Sequence, residues 1–187
     1  MMYKTVYRFP ILFALLCCLL LTAKVWAKTE RHSAYKNNAV IDEVIQAHNQ
    51  FFKALDADLQ GDTTLMNKLW LHSKKASYMG PQGGLIIGWK NISKSWQTQA
   101  KMGEKGAAAI GPQDIDCKKN TKDCSILLSE NGNMAIVQSI DTLYNATHQK
   151  TGTTRKTTVF VRNKDGKFKI IAMHVDIIAG LPPEKNN

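Results

Sequence analysis

Cysteine is scarce in this chain and placed where it excludes several chemistries. Of 187 residues four are cysteine, and Cys17 and Cys18 fall in an apolar N-terminal run. The other two, Cys117 and Cys124, have six polar residues between them. A thioredoxin-like redox pair wants two intervening residues, so that motif is absent. A zinc site wants further Cys or His ligands at short spacing, and the neighbouring sequence offers none. The glycine-rich stretch 80–88 is no phosphate loop, because Gly88 is followed by Trp89-Lys90 where Lys-Ser/Thr is required. No basic stripe interleaved with aromatics is present, which argues against nucleic-acid binding despite a formal charge of +10. There are no internal repeats, no linker between domains, and no apolar run approaching the ~20 residues of a membrane span.

What is present begins with a leader. Lys4 and Arg8 form a basic n-region, residues 11–21 read ILFALLCCLLL, and Val25-Trp26-Ala27 permits cleavage after Ala27. Export to the periplasm or beyond is expected, with Lys28 as the first mature residue and no stable membrane insertion after cleavage. An uncleaved anchor is the competing reading. Loss of Lys4, Arg8 and Lys24 takes the formal charge from +10 to +7. The remaining basic residues are dispersed, as a solvated surface would have them, with weak attraction to anionic membranes as the alternative. A mature chain of about 160 residues fits one domain. In an oxidising compartment Cys117 and Cys124 read as a disulfide. Asn91-Ile92-Ser93 and Asn145-Ala146-Thr147 match glycosylation acceptors, which matter only in a eukaryotic secretory route.

A polar lead-in, 28–37, precedes a domain over 38–180, and a Pro182-Pro183 tail over 181–187 reads as disordered. Val40, Ile41, Val44, Ile45, His48, Phe51, Phe52, Leu55 and Leu59 recur at three- and four-residue steps, which predicts a long amphipathic helix stopped at Gly61. His48 lies on or beside that stripe, where most histidines are simply packed. Asp62 is placed to cap a short helix over 63–70, with Leu65, Met66, Leu69 and Trp70 on its buried side. A strand pair over 76–79 and 85–88 follows. A third helix over 89–102 carries Trp89, Ile92, Trp96 and Ala100 on one stripe. Strands are then expected over 107–116, 125–128 and 134–144, with a polar connection over 145–152.

The closing stretch, KTTVFVRNKDGKFKIIAMHVDII, reads as a hairpin about Asp165-Gly166. Strict alternation puts Phe168, Ile170, Ala172, His174, Asp176 and Ile178 on one face and Ile171, Met173, Val175 and Ile177 on the other. Both faces are largely apolar, which predicts a sandwiched strand. A His and an Asp at i and i+2 on such a strand are the chemical oddity, with Cα atoms roughly 6.5 Å apart on one face.

Three segments carry a resemblance. Ser77-Tyr78-Met79-Gly80-Pro81-Gln82-Gly83-Gly84 with Gly88-Trp89 and Trp96, then Asn133-Met134-Ala135-Ile136-Val137, then Asp165-Gly166-Lys167-Phe168-Lys169-Ile170-Ile171 with His174 and Asp176, resemble the nuclear transport factor two-like superfamily. The similarity is to its SnoaL-like, ketosteroid-isomerase-like branch, and the closing pattern is also similar to the association domain of calcium/calmodulin-dependent kinase. The resemblance implies an α+β fold: a curved antiparallel sheet forming a cone, covered by three helices from the N-terminal half. It also implies a homodimer and a pocket for a small, partly apolar molecule, with no cofactor. Tyr78, Gln82, Trp89, Trp96, Asp141 and Phe160 are the expected pocket residues. The alternative is a cofactor-independent isomerase, dehydratase or cyclase using Asp176 and His174 as an acid–base pair. Such chemistry needs a carboxylate base and a hydrogen-bond donor in an apolar pocket. Asp141, Asp114 and Asp116 are further candidate bases, and Tyr78, His174 and Trp96 candidate donors. The same His-Asp pair would serve equally to tie the last strand to its neighbours. The ketosteroid-isomerase set does not carry over cleanly, since Tyr35 lies outside the first helical stripe.

Overall fold

The computed structural model describes residues 38–81, 83–103, 117, 122–144 and 150–178. The expected leader, lead-in and tail, Gln82, and the strand over 107–116 with Asp114 and Asp116 lie outside the described residues. Two compact units divide the chain, Met1–Val40 and Ile41–Asn187. Of the first, only the helical residues 38–40 are described.

Helix α1 covers 38–59. From Val44 onward its buried side is Val44, Ala47, His48, Phe51, Phe52, Ala54, Asp58 and Leu59, the spacing of one helical face. Ile45 and Leu55 flank this face, both half-buried. The helix ends as Gly61 predicts. Gly61 has φ 95°, its N–H donates to Asp58 C=O at 3.0 Å, and Asp62 N–H donates to Ala57 C=O at 2.8 Å. That pair of bonds is a Schellman motif, and it satisfies two carbonyls the helix leaves open.

Helix α2, Thr64–Leu69, buries Met66 and Leu69, while Leu65 faces outward. Asp62 serves its start, but from one residue further out than a cap: Thr63 holds the cap position without a side-chain capping bond, and Thr64 N–H donates to Asp62 Oδ1 at 2.8 Å. Strands β1, Ser77–Met79, and β2, Ile86–Ile87, lead into α3, Trp89–Gly103. Strands β3, Cys124–Leu128, β4, Met134–Tyr144, β5, Lys150–Arg162, and β6, Phe168–Ile177, complete the sheet. The order is β2-β1-β6-β5-β4-β3.

The sheet is antiparallel except where β1 runs parallel to β6, pairing Tyr78 with Met173. Parallel neighbours require a long crossover, and everything from β2 to β5 lies between these two strands. Strand β5 starts well before Lys156, where the closing run was expected to begin. Its threonines are β-branched and hold the extended pairing with β4, Thr154 opposite Asp141 and Lys156 opposite Ser139.

One irregularity governs the placement of the site. The β5–β6 register pairs Val159 with Ala172 and Phe160 with Ile170, so Ile171 is an extra residue, a β-bulge. Before the bulge Phe168 and Ile170 are buried; after it the buried residue is Met173. Strict alternation across 168–178 therefore fails. His174 and Asp176, expected beside Phe168 and Ile170 on a covered face, are turned to the opposite, open one.

The closing turn is built by Asn163 more than by Asp165-Gly166. Gly166, at φ 74°, donates its N–H to Asn163 C=O at 3.0 Å. Asn163 Oδ1 accepts from Asp165 N–H at 3.1 Å and from Lys167 N–H at 2.9 Å. Arg162 then ties this turn to α1 and to the β3–β4 turn, bonding Gly166 C=O and Glu43 at 2.6 Å each and Gly132 C=O at 3.2 Å. Asn163→Ala is expected to lower unfolding free energy in urea by about 1–2 kcal/mol. A change within noise would mean that the backbone bonds alone hold the turn.

Candidate functional site

The inner face of the sheet meets the buried stripe of α1, and polar groups gather there at two places. The first is built around Lys156. Alternation along β5 puts Thr154, Lys156, Thr158 and Phe160 on the inner face, against Asp141, Ser139, Val137 and Ala135 of β4. Lys156 Nζ lies 2.8 Å from Asp141 Oδ2, with side-chain exposures of 2% and 5%. The ammonium also sits over Phe52 at 3.9 Å and Phe51 at 4.7 Å from the ring centres. Burial pulls the Lys156 pKa down, and the Asp141 carboxylate opposes that pull. His48 packs edge-on to Phe52 with centroids 5.3 Å apart. Burial and the neighbouring Lys156 charge hold the His48 pKa well below the ordinary imidazole value, so the ring is neutral. Cys117 and Cys124 are joined as a disulfide at this end, and a His48 ring nitrogen and both Sγ atoms all lie within 4.8 Å of one another.

The second place lies towards the C-terminal end of α1. Asp58 is fully buried, and neither carboxyl oxygen has a hydrogen-bond partner. Burial pushes its pKa up to about 7. Tyr78 is pushed up to about 12, by burial first and then by the Asp58 charge, which places the two near each other. The Tyr78 hydroxyl is accommodated by Gly80: a Cβ there would stand 2.7 Å from the phenolic oxygen. From Tyr78 the rings form a continuous series. Trp89 stacks on His72 at 4.5 Å and lies 6.3 Å from Trp70. Trp70 meets Tyr78 at 6.1 Å, Tyr78 meets Trp96 at 5.0 Å, and Trp96 meets Phe51 at 6.3 Å.

Comparison with known proteins follows from this geometry. No family model and no curated protein sequence matches the chain. Solved structures do. A nuclear transport factor 2-like superfamily protein from Salmonella enterica serovar Typhimurium superimposes with a TM-score of 0.57 at 18% identity, covering 81% of this chain and 99% of that one. The chain has the nuclear transport factor 2-like fold. A putative calcium/calmodulin-dependent protein kinase type II association domain from Thiobacillus denitrificans gives 0.55 at 13% identity, over 71% and 92% of the two chains. A nuclear transport factor 2-like protein of unknown function from Shewanella oneidensis gives 0.51 at 15%, over 73% and 98%.

Within the nuclear transport factor 2-like fold the expected pocket residues separate. Tyr78, Trp96, Asp141 and Phe160 all lie buried on the inner side, with Asp141 engaged by Lys156. Trp89 is only half-buried and stacks on the exposed His72. His174 and Asp176 do contact each other, Nε2 to Oδ1 at 3.1 Å, but at 45% and 44% exposure, with Arg155 3.7 Å from the same carboxylate.

Two residues escaped the sequence reading and carried a signal. Asp58 continues the series Val44, His48, Phe51, Leu55 by three, so its place on the buried stripe was in the spacing. Lys156 is in phase with Phe160 along β5. The disulfide joins residues seven apart, and replacing both by Ser is expected to cost about 2–3 kcal/mol by the loop-closure argument. Denaturant unfolding with and without reductant measures it: no difference for the wild type would place the stabilisation elsewhere.

Proposed function

We propose that this chain is an exported, homodimeric ligand-binding module whose cone interior holds a small, partly apolar molecule. The observation that carries this reading is a set of buried hydrogen-bonding atoms without partners, set among aromatic rings. Both His48 nitrogens, both Asp58 oxygens, Asp141 Oδ1, Ser139 Oγ and the Trp70 and Trp96 indole nitrogens are all of this kind among the described residues. Leaving such groups unpaired is costly, about 1–3 kcal/mol each, and a ligand bearing a polar head would relieve several at once. The disulfide supports an oxidising compartment, and among the described residues no helix is long and apolar enough to cross a membrane.

A second reading rests on Asp58 alone. A buried carboxyl with a pKa of about 7 beside Tyr78 is poised to take or give a proton near neutrality. In an enzyme of this kind Asp58 would serve as the acid–base carboxyl with Tyr78 as hydrogen-bond donor, whereas Asp176 and His174 lie on the open face.

Native mass spectrometry of the purified chain tests the first reading. The expected spectrum shows a dimer carrying a small molecule that is lost on denaturation, with Trp96→Phe or Asp58→Leu weakening its retention. Bare chain alone, together with unchanged tryptophan fluorescence across a library of small apolar carbonyl compounds, would overturn it. Sedimentation showing only monomer at micromolar concentration would remove the homodimer.

A further inference from the structure

The disulfide and His48 together form a further cluster of donor atoms. Cys117, Cys124 and His48 are all buried, at 6%, 5% and 0% exposure, and one ligand atom from each lies within 4.8 Å of the others. They come from separate places, α1 for His48 and the start of β3 for Cys124, so the tertiary fold alone assembles them. Both imidazole nitrogens lack a hydrogen-bond partner. We infer that Cys117, Cys124 and His48 are a redox-gated site for a thiophilic d10 cation, copper(I) or zinc(II), closed while the disulfide is intact and opened by its reduction.

The chemistry balances. A dithiol reductant gives two electrons and two protons to the Cys117–Cys124 bond and leaves as its own disulfide. The two resulting thiols release their protons to solvent as the metal binds. One neutral imidazole and two thiolates form a soft, compact donor set. Copper(I) is satisfied by three such ligands, whereas zinc(II) keeps a fourth position open. Burial would penalise two bare thiolates, and the metal removes that penalty: with zinc(II) the three charges sum to zero. Lys156, which lies close to this site, is held 2.8 Å from Asp141, so its charge is offset in part by the carboxylate.

The test uses the full chain with Cys17→Ser and Cys18→Ser, so that the two thiols in question are the only ones. It is reduced anaerobically, given copper(I) as its acetonitrile complex or zinc sulfate in separate runs, desalted, and analysed for metal. The reduced protein is expected to retain about one metal per chain and the oxidised protein essentially none. His48→Gln and Cys124→Ser are each expected to weaken retention against a chelator by about tenfold or more. Circular dichroism on every sample reports the fold. Equal retention by oxidised protein, equal retention by folded His48→Gln, or a reduced wild type that unfolds or holds no metal would each overturn the proposal. Retention of one metal and not the other assigns the site to copper or to zinc.

Discussion

Lys156→Met is expected to destabilise the fold by about 3–5 kcal/mol, the largest single effect in this chain, because it strands Asp141 in the interior. Asp141 would then have neither water nor a counter-charge, being 5% exposed at its side chain, with Oδ1 already unpaired. Asp141→Leu should cost a similar amount by stranding the ammonium, moderated by its contacts with Phe51 and Phe52. The double variant is the discriminating one. Replacing both members with apolar side chains removes two desolvation penalties along with the attraction, so its loss should be far smaller than the sum of the singles. Urea unfolding at fixed pH gives all three values. Additive losses would mean the two side chains are solvated independently, and the interior site would have to be rebuilt without them.

The second large effect is a pH dependence hidden in the wild type. Asp58 rises from 3.8 to about 7 on folding, so its contribution is fully present below about pH 4 and is lost as pH rises through about 7. At pH 8 the Asp58→Asn protein should exceed the wild type by a few kcal/mol, since three pKa units correspond to roughly 4 kcal/mol. At pH 4 the two should coincide. His48 has the opposite sign. Its pKa is depressed on folding, so the stability it supports is present above 6.5 and is lost as pH falls. Between pH 4 and 6.5 these trends oppose each other, and the wild-type curve alone is flattened. Difference curves, wild type against Asp58→Asn and wild type against His48→Gln, separate them. An Asp58→Asn curve parallel to wild type at every pH would mean that Asp58 finds water or a partner in solution, which would also remove the proton-transfer reading.

The closing hairpin shows how far alternation can be pushed. From Phe168 to Ile170 the pattern assigns faces correctly. At Ile171 one extra residue reverses every later assignment, because the side-chain period of a strand is two and a bulge shifts it by one. Nothing in IIAMHVDI marks Ile171 as the bulged residue, since its neighbours are equally apolar. The bulge is decided by pairing with β5, where Phe160 must meet Ile170 and Val159 must meet Ala172. That is why the His174–Asp176 pair, the most conspicuous chemistry in the sequence, ends on the open face, while Lys156, inconspicuous among threonines, ends inside.

The sequence by itself determined the helices, because their apolar residues repeat at the helical period and their ends are marked locally. Gly61 shows this through its left-handed backbone, and Trp89 through its position after Gly88. It determined the strand β4 to the residue, since alternation there runs unbroken between an Asn-Gly turn and a polar segment. It placed Cys117 and Cys124 in one loop and so made their bond a matter of compartment. Only the tertiary structure decided the parallel pairing of β1 with β6 and the approach of His48 to the disulfide. It alone joined Lys156 to Asp141, 15 positions apart in sequence and 2.8 Å apart in space. Those outcomes depend on registers between strands and on which face of α1 meets the sheet. Such long-range choices are set by the burial of the whole core, and no short stretch of residues encodes them.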